Sequence, residues 1–324
     1  MKNGTSHFEF IIMGFSELPQ YQLLLFAVFF TIYILTLLEN VLLIVTIWLN
    51  SHLRTPMYFF LGNLSLLEIF YVSVTMPKLF SNLLLGEKTI TLGGCLAQLY
   101  FFLSLASSEC FLLATMAYDR YLAICHPLHY TSLMNYRAYM TLSLASWLGG
   151  FLASFPSVVM MSSLQFCNKN TIRHFFCDIS PLLRLSCTDT SLIELLDFVA
   201  ALAVLMTSLL VTGTSYACIF CTVAKIPSAK GKRKAFSTCA SHLTVVSMFY
   251  ATTIFMYARP KAIGTFDLNK MVSILYTVVA PFLNPMIYSL RNREVRETLT
   301  RAMHRKAVSS GWFQMEWLKR PDTS

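Results

Sequence analysis

A chain of 324 residues with 56% hydrophobic and only 13% charged residues departs from soluble domains, about 25% of whose residues are charged. Its long apolar stretches approach the roughly 20 residues that cross a bilayer, which leaves little sequence for a soluble domain. The net charge of +9 does not point to nucleic acid. The basic residues cluster in a few loops beside apolar runs, the pattern of a cytoplasmic membrane face; membrane lipid is the expected partner and nucleic acid is excluded.

Residues 1–20 contain Lys2, Glu9 and Glu17, and the first long apolar run begins at Leu23. A cleavable signal peptide is therefore not expected, and the first helix should act as its own insertion signal. Hydropathy predicts seven spans, at 23–49, 57–84, 95–121, 138–161, 191–224, 237–258 and 271–290. The runs lack the polar alternation of barrel strands. In lipid their backbone groups need internal partners, so they should be helices. The expected fold class is an all-α membrane protein, a seven-transmembrane-helix bundle. Its regions are an extracellular N-terminus (1–22), the bundle (23–290) and a cytoplasmic amphipathic helix with tail (291–324).

Charge sets the orientation. The connection 225–236 carries Lys225, Lys230, Lys232, Arg233 and Lys234, and Arg291, Arg293, Arg296, Arg301, Arg305 and Lys306 follow the last span. Both belong inside. The N-terminus is then outside, where Asn3-Gly4-Thr5 is an N-glycan acceptor. A second sequon, Asn63-Leu64-Ser65, lies inside a span and is read as chance. The outward loop, about 162–190, contains Cys167, Cys177 and Cys187, and Cys95 stands at the outer end of the third span. Four cysteines on the oxidising side permit two bridges and three pairings, among which these positions do not choose. Cys110, Cys125, Cys218, Cys221 and Cys239 read as free thiols.

Charge inside a span is costly, so the few ionisable residues there are informative. Glu39, Glu68 and Glu109 lie in the first three spans, and Asp119-Arg120 closes the third. Glu109 and Arg120 are eleven residues apart, close to three turns, and share one helix face that Phe102 and Ala106 continue outward. The layout reads as a ligand end, a polar middle and a signalling end; the competing reading is that the carboxyls only specify packing. Two carboxyls close together in a dry site need a cation or a shared proton between them, so a sodium ion near Glu68 and Glu109 is one expectation and a proton the other. Pro77, Pro156, Pro281 and Pro285 can each kink a helix. Asn284-Pro285, with Tyr288 one turn on, is the expected hinge.

Four segments carry a resemblance. Met116-Ala117-Tyr118-Asp119-Arg120-Tyr121-Leu122-Ala123-Ile124-Cys125 ends the third span, and Pro56-Met57-Tyr58-Phe59-Phe60-Leu61 opens the second. Lys234-Ala235-Phe236-Ser237-Thr238-Cys239-Ala240-Ser241-His242-Leu243 opens the sixth, and Pro281-Phe282-Leu283-Asn284-Pro285-Met286-Ile287-Tyr288-Ser289-Leu290-Arg291-Asn292 ends the seventh. In this order and at these spacings the chain resembles the odorant receptors, a branch of the rhodopsin-like G-protein-coupled receptors.

The resemblance implies the bridges Cys95–Cys177 and Cys167–Cys187, and a sodium-site region at Glu68 and Glu109, with Glu68 where rhodopsin-like receptors mostly have Asp. It implies an odorant cavity between helices three, five, six and seven, lined by Phe102, Leu103, Ala106, Ser107, Ala200, Val204, Tyr250, Thr253, Ile254, Tyr257 and Thr277. Such a largely apolar set with a few hydroxyls suits a small neutral volatile molecule; Arg259 or Lys261 near the mouth would instead attract an acid. The signalling set it implies is Asp119, Arg120, Tyr121, Tyr216, His242, Asn284, Pro285 and Tyr288. The partner would be a stimulatory heterotrimeric G protein that raises cyclic AMP at the plasma membrane.

Other classes fit less well. An amine receptor should present an acid in the outer third helix, where Phe102 and Leu103 stand. An opsin needs a lysine in the last span, and 271–290 has none. A transporter should show repeats or a continuous polar pathway. An enzyme would need a nucleophile with its base, and His242 has no evident partner in the sequence.

Overall fold

The computed structural model describes residues 9–16, 18–166, 170–257 and 266–291 with Val295 and Thr298, and places no side chains for 234, 236–238, 255–257, 266–269 and 289–291. Asn3, Cys167, Arg259, Lys261 and nearly all of the expected amphipathic tail lie outside that set, as does the side chain of Tyr257. The spanning helices are α1 (Gln22–Leu49), α2 (Pro56–Phe80), α3 (Leu92–Cys125), α5 (Tyr136–Ser162), α7 (Ser191–Ala224) and α8 (Ala229–Tyr257). The seventh span is made of α9 (Phe266–Ile274) and α10 (Ala280–Arg291). Short helices α4 (Tyr130–Leu133) and α6 (Ile179–Leu183) sit in the loops. Six helices are long and apolar enough to cross a membrane, and the sixth span contributes a shorter apolar stretch, Cys239–Ile254. Its inner turns carry Lys230, Lys232 and Arg233, so α8 runs past the membrane into the basic connection.

Local chemistry sets the ends. Thr91 accepts from the Gly94 N–H at 3.1 Å and Asn135 from that of Ala138 at 3.0 Å, capping α3 and α5. Pro281 has no N–H to offer the Thr277 carbonyl, and a π-type turn, Leu275–Val279, stands there between α9 and α10. The kink of the seventh span thus has a located cause.

The outward faces of α1, α5 and α7 are rich in exposed Leu, Val and Phe, including Leu24, Leu38, Leu144, Leu152 and Leu210, as a lipid solvent requires. Inside the bundle small and polar residues hold the helices together. The Asn63 Oδ1 accepts from Ser143 at 2.9 Å and from the Trp147 indole at 3.1 Å, so the chance sequon is a polar clamp between α2 and α5. A Cβ added to Gly150 would lie 2.5 Å from the Ser108 backbone N and 2.6 Å from the Ser104 carbonyl. That glycine lets α5 lie directly on α3.

The outer end holds a feature outside the expectation from hydropathy: a three-stranded sheet ordered β2-β1-β3. The N-terminal strand β1 (Glu9–Ile12) is central, antiparallel to β2 (Thr89–Thr91) and parallel to β3 (Thr171–Ile172). Phe10 and Ile12 point inward and are fully buried, following the period of two. A four-residue strand carries too little hydropathy signal to stand out beside spans of about twenty residues.

Beneath the sheet the outer loop turns over the bundle. Cys95 and Cys177 are bonded, with Cα atoms 5.5 Å apart, which settles one of the two bridges; Cys187 is also disulfide-bonded. Gln98 fastens the same point, accepting from the Cys177 N–H at 2.9 Å and donating to the Val74 carbonyl at 2.9 Å. His174 stacks on Phe175, and its Nε2 lies 3.1 Å from the Ser273 hydroxyl in α9. Burial pushes the His174 imidazole down to about 3, the nearby Lys270 adding to the effect.

Two outcomes follow from this packing. Gly150→Leu should remove the receptor from the cell surface, whereas Gly213→Ala, where a Cβ meets nothing within 4 Å, should leave it there; surface immunolabelling distinguishes them. The unfolded His174 takes up a proton below its ordinary pKa while the buried one does not, so its contribution to stability is complete above pH 6.5 and is lost on acidification. The unfolding free energy of wild type relative to His174→Gln should therefore fall between pH 6.5 and 5, by about 1.4 kcal/mol per pH unit, which thermal melts at each pH report.

Candidate functional site: the outer cavity and the inner switch

Below the roof lies a cavity of about 560 Å³, within the range of small-molecule sites. Its inner wall is the outer half of α3, with Phe102, Leu103, Ala106, Ser107, Glu109 and Cys110. The rise of the helix and its periodicity put these residues along one side for about two turns. Ala200 and Val204 come from α7, Thr253 from α8, and Tyr276 from the π-type turn. Phe176, next to the bridge, packs on Phe102 with ring centroids 4.8 Å apart.

Seven of the eleven expected positions share this wall: Phe102, Leu103, Ala106, Ser107, Ala200, Val204 and Thr253. Tyr250, Ile254 and Thr277 stand outside it. Tyr250 is buried in the next layer, its hydroxyl 3.4 Å from that of Thr212. Ile254 turns outward, 43% exposed. Thr277 is fully buried and donates to the Ser273 carbonyl of its own helix at 2.7 Å. From the seventh span Tyr276, not Thr277, lines the cavity.

The lining is also more ionisable than the expected set. Asp178 and Arg184 join it from the outer loop, Glu194 and Asp197 from the outer end of α7, and Glu109 from the middle of α3; Ser154 and Ser157 add the fourth span. Asp178 caps α6, accepting from the Ile179 N–H at 2.8 Å. Burial raises its carboxyl to about 6, that backbone bond pulling the other way and the Asp197 carboxylate adding to the rise. A hydropathy reading passes over these residues because they sit at loop and helix ends, where charge is ordinary.

Deeper in, Glu68 and Glu109 are both buried and within electrostatic reach of each other. The Asn284 amide donates to Glu68 Oε1, and Glu68 Oε2 has no hydrogen-bond partner among the described residues. This ties the Asn284-Pro285 segment to α2. Tyr71 lies within reach of Glu68, Glu109 and Asp178, between the polar middle and the cavity.

The inner end is a closed polar cluster. Arg120 pairs with Asp119 at 2.5 Å, and the Tyr130 hydroxyl of α4 donates to the other Asp119 oxygen at 2.7 Å. Both members of the pair are buried, with Arg120 9% exposed. The Tyr216 hydroxyl of α7 lies 2.6 Å from His242 Nδ1 of α8, so the histidine without an evident partner in the sequence has one across the bundle. Tyr288 is fully buried, its hydroxyl without a hydrogen-bond partner among the described residues, within reach of Tyr216 and Arg120. Tyr121 stands apart, its hydroxyl 2.9 Å from His126.

A roofed cavity thus lies at the outer end and a buried arginine cluster at the inner end, joined by one face of α3. The family model for olfactory receptors matches residues 29–306. The chain is 51% identical to human olfactory receptor 6P1 over 295 residues, 91% of this chain and 93% of that one. It is 49% identical to mouse olfactory receptor 6B9 over 311 residues, 96% and 97% of the two chains. With human olfactory receptor 6A2 the identity is 53% over 301 residues, 91% and 92% of the two. With matches over nearly its whole length to receptors rather than enzymes, the chain belongs to the olfactory receptor family of seven-helix, G-protein-coupled odorant receptors in the plasma membrane.

Proposed function

We propose that a small volatile molecule enters the cavity beneath the outer loop and favours an arrangement in which the inner end of α8 moves away from α7 and α3. The observation that carries this reading is the continuity of α3, whose single face runs from Phe102 and Ala106 at the cavity, through Glu109, to Arg120. The ligand supplies driving force only through its differential affinity for the two arrangements. In the resting arrangement Asp119 and Tyr130 hold Arg120, and the Tyr216–His242 contact holds α8 to α7. Parting of that contact opens the inner end, where Arg120 meets a stimulatory heterotrimeric G protein and cyclic AMP rises. The basic connection 225–236 would flank that surface.

Glu68 and Glu109 would hold a sodium ion or a shared proton in the resting bundle. The unpartnered Glu68 Oε2 fits either. Among the described residues no group of three His, Cys, Asp or Glu side chains is placed to hold a metal ion, so a sodium ion would depend on these two carboxyls and on neutral oxygens. Its single charge would balance one carboxylate of the pair, the other keeping its proton.

Cyclic AMP in cells expressing the chain with a stimulatory olfactory-type G protein tests the scheme. An activating volatile should lose its effect in Ala106→Phe, which fills the cavity, and in Arg120→Ala, with both variants at the cell surface. Tyr216→Phe should raise the ligand-free signal by loosening α8. A full response in Arg120→Ala would refute the proposed signalling end.

A further inference from the structure

We propose that Cys218 and Cys221, on the lipid-facing side of α7 at its inner end, are S-acylation sites that carry long-chain fatty acyl groups as thioesters in the inner leaflet.

Among the described residues the free cysteines divide sharply. Cys110 and Cys239 are buried, and the Cys125 Sγ lies 3.2 Å from the Thr222 hydroxyl, between α3 and α7. Cys218 and Cys221 are exposed, and their spacing puts them on one helix face. That face is turned away from the bundle. Ser215, Tyr216, Ile219 and Val223 of α7 are buried. Val211, Thr214, Cys218, Cys221 and Lys225 are all exposed, at alternating steps of three and four residues. Both thiols therefore open on lipid, next to each other, on the side of the membrane where thiols stay reduced.

Their depth follows from the charge beside them. The 34 residues of α7 rise about 51 Å, well beyond the roughly 30 Å of hydrocarbon. Lys225 ends the exposed stripe, with Lys230 and Arg233 exposed in the stretch that follows, and these cations mark the inner boundary. Cys221 and Cys218 lie about 6 and 10 Å from Lys225 along the axis, just inside that boundary. A cysteine at this level is within reach of chemistry at the cytoplasmic surface, and a chain attached to it enters the leaflet.

The surface above the thiols suits such a chain. The outer part of α7 shows lipid the bulky Leu195, Phe198, Leu202 and Met206. Directly outward of the cysteines the exposed residues are Gly213, Thr214 and Ala217, and a Cβ at Gly213 would meet nothing within 4 Å. A chain leaving either sulfur toward the membrane centre lies along this shallow strip.

The step is a thioester exchange. The cysteine sulfur attacks the carbonyl carbon of an acyl-coenzyme A held by a membrane acyltransferase. The new bond joins Sγ to that carbon, the bond from the carbon to the coenzyme A sulfur breaks, and the proton lost by the cysteine ends on the released coenzyme A thiol. No electrons are exchanged.

The test uses full-length receptor from cells, denatured, with free thiols blocked by N-ethylmaleimide. Neutral hydroxylamine then cleaves thioesters, and a maleimide-linked polyethylene glycol retards the gel band by one step for each thiol released. Wild type should show a hydroxylamine-dependent shift. Cys218→Ser together with Cys221→Ser should abolish it, whereas Cys125→Ser should leave it. No cysteine follows Cys239, so the tail cannot supply the signal. Loss of the shift in one single variant assigns the chain to that residue and supports the site. If the double variant fails to reach the cell surface, an alkynyl palmitate analogue mapped on wild type to the peptide holding both cysteines makes the same assignment. Wild-type receptor at the surface with no hydroxylamine-dependent shift overturns the inference, as does a shift that survives the double substitution or a label mapped to another peptide.

Discussion

The bond between Cys95 and Cys177 fixes what the outer half of this receptor can be. It fastens the middle of the long loop to the first turn of α3, and Gln98 repeats the attachment one turn deeper. From that point the chain can only run across the bundle, which places Phe175 and Phe176 over the helices and carries Asp178 to the cavity. A cross-link closing a loop of this length restricts the unfolded chain by a few kcal/mol, but its larger effect is geometric. With the Gln98 bond, the Phe176–Phe102 contact and the His174–Ser273 contact, it fixes Asp178 and the aromatic roof relative to α3. The N-terminal strand and His174 then close the outer end against β2, β3 and α9.

The inner end obeys a different constraint. Lipid offers no partner for polar groups, so every charge there must be answered within the bundle. Asp119, Arg120 and Tyr130 answer one another, and Tyr216 answers His242. These contacts join neighbouring elements by one or two bonds each. The polar middle, with Asn284 on Glu68, lies between the two ends and beside the kink of the seventh span.

Much of this was legible in the sequence because membrane helices announce themselves by length and composition. The seven spans, the orientation and the shared face of Glu109 and Arg120 need only hydropathy and a helical period. The sheet was not legible: β1 is four residues long, and its partners lie about 80 and 160 residues away in the chain. The positions that the resemblance implied on α3 and α7 line the cavity. In the seventh span the lining residue is Tyr276 of the π-type turn and not the expected Thr277. Asp178, Glu194 and Asp197 were missed because helix ends and loops carry charge in every membrane protein, and only the path of the loop turns these three inward. The partner of His242 lies on another helix, beyond the reach of local pattern.

The central claim is that occupancy of the outer cavity is read as movement of α8 at the inner end. Spin labels at Tyr136, on the inner end of α5, and Lys230, on the inner end of α8, report that distance in a receptor whose exposed Cys218 and Cys221 are replaced by serine. An activating ligand should lengthen the distance, and Ala106→Phe should abolish the lengthening. An unchanged distance in a receptor that nonetheless activates its G protein would contradict the account.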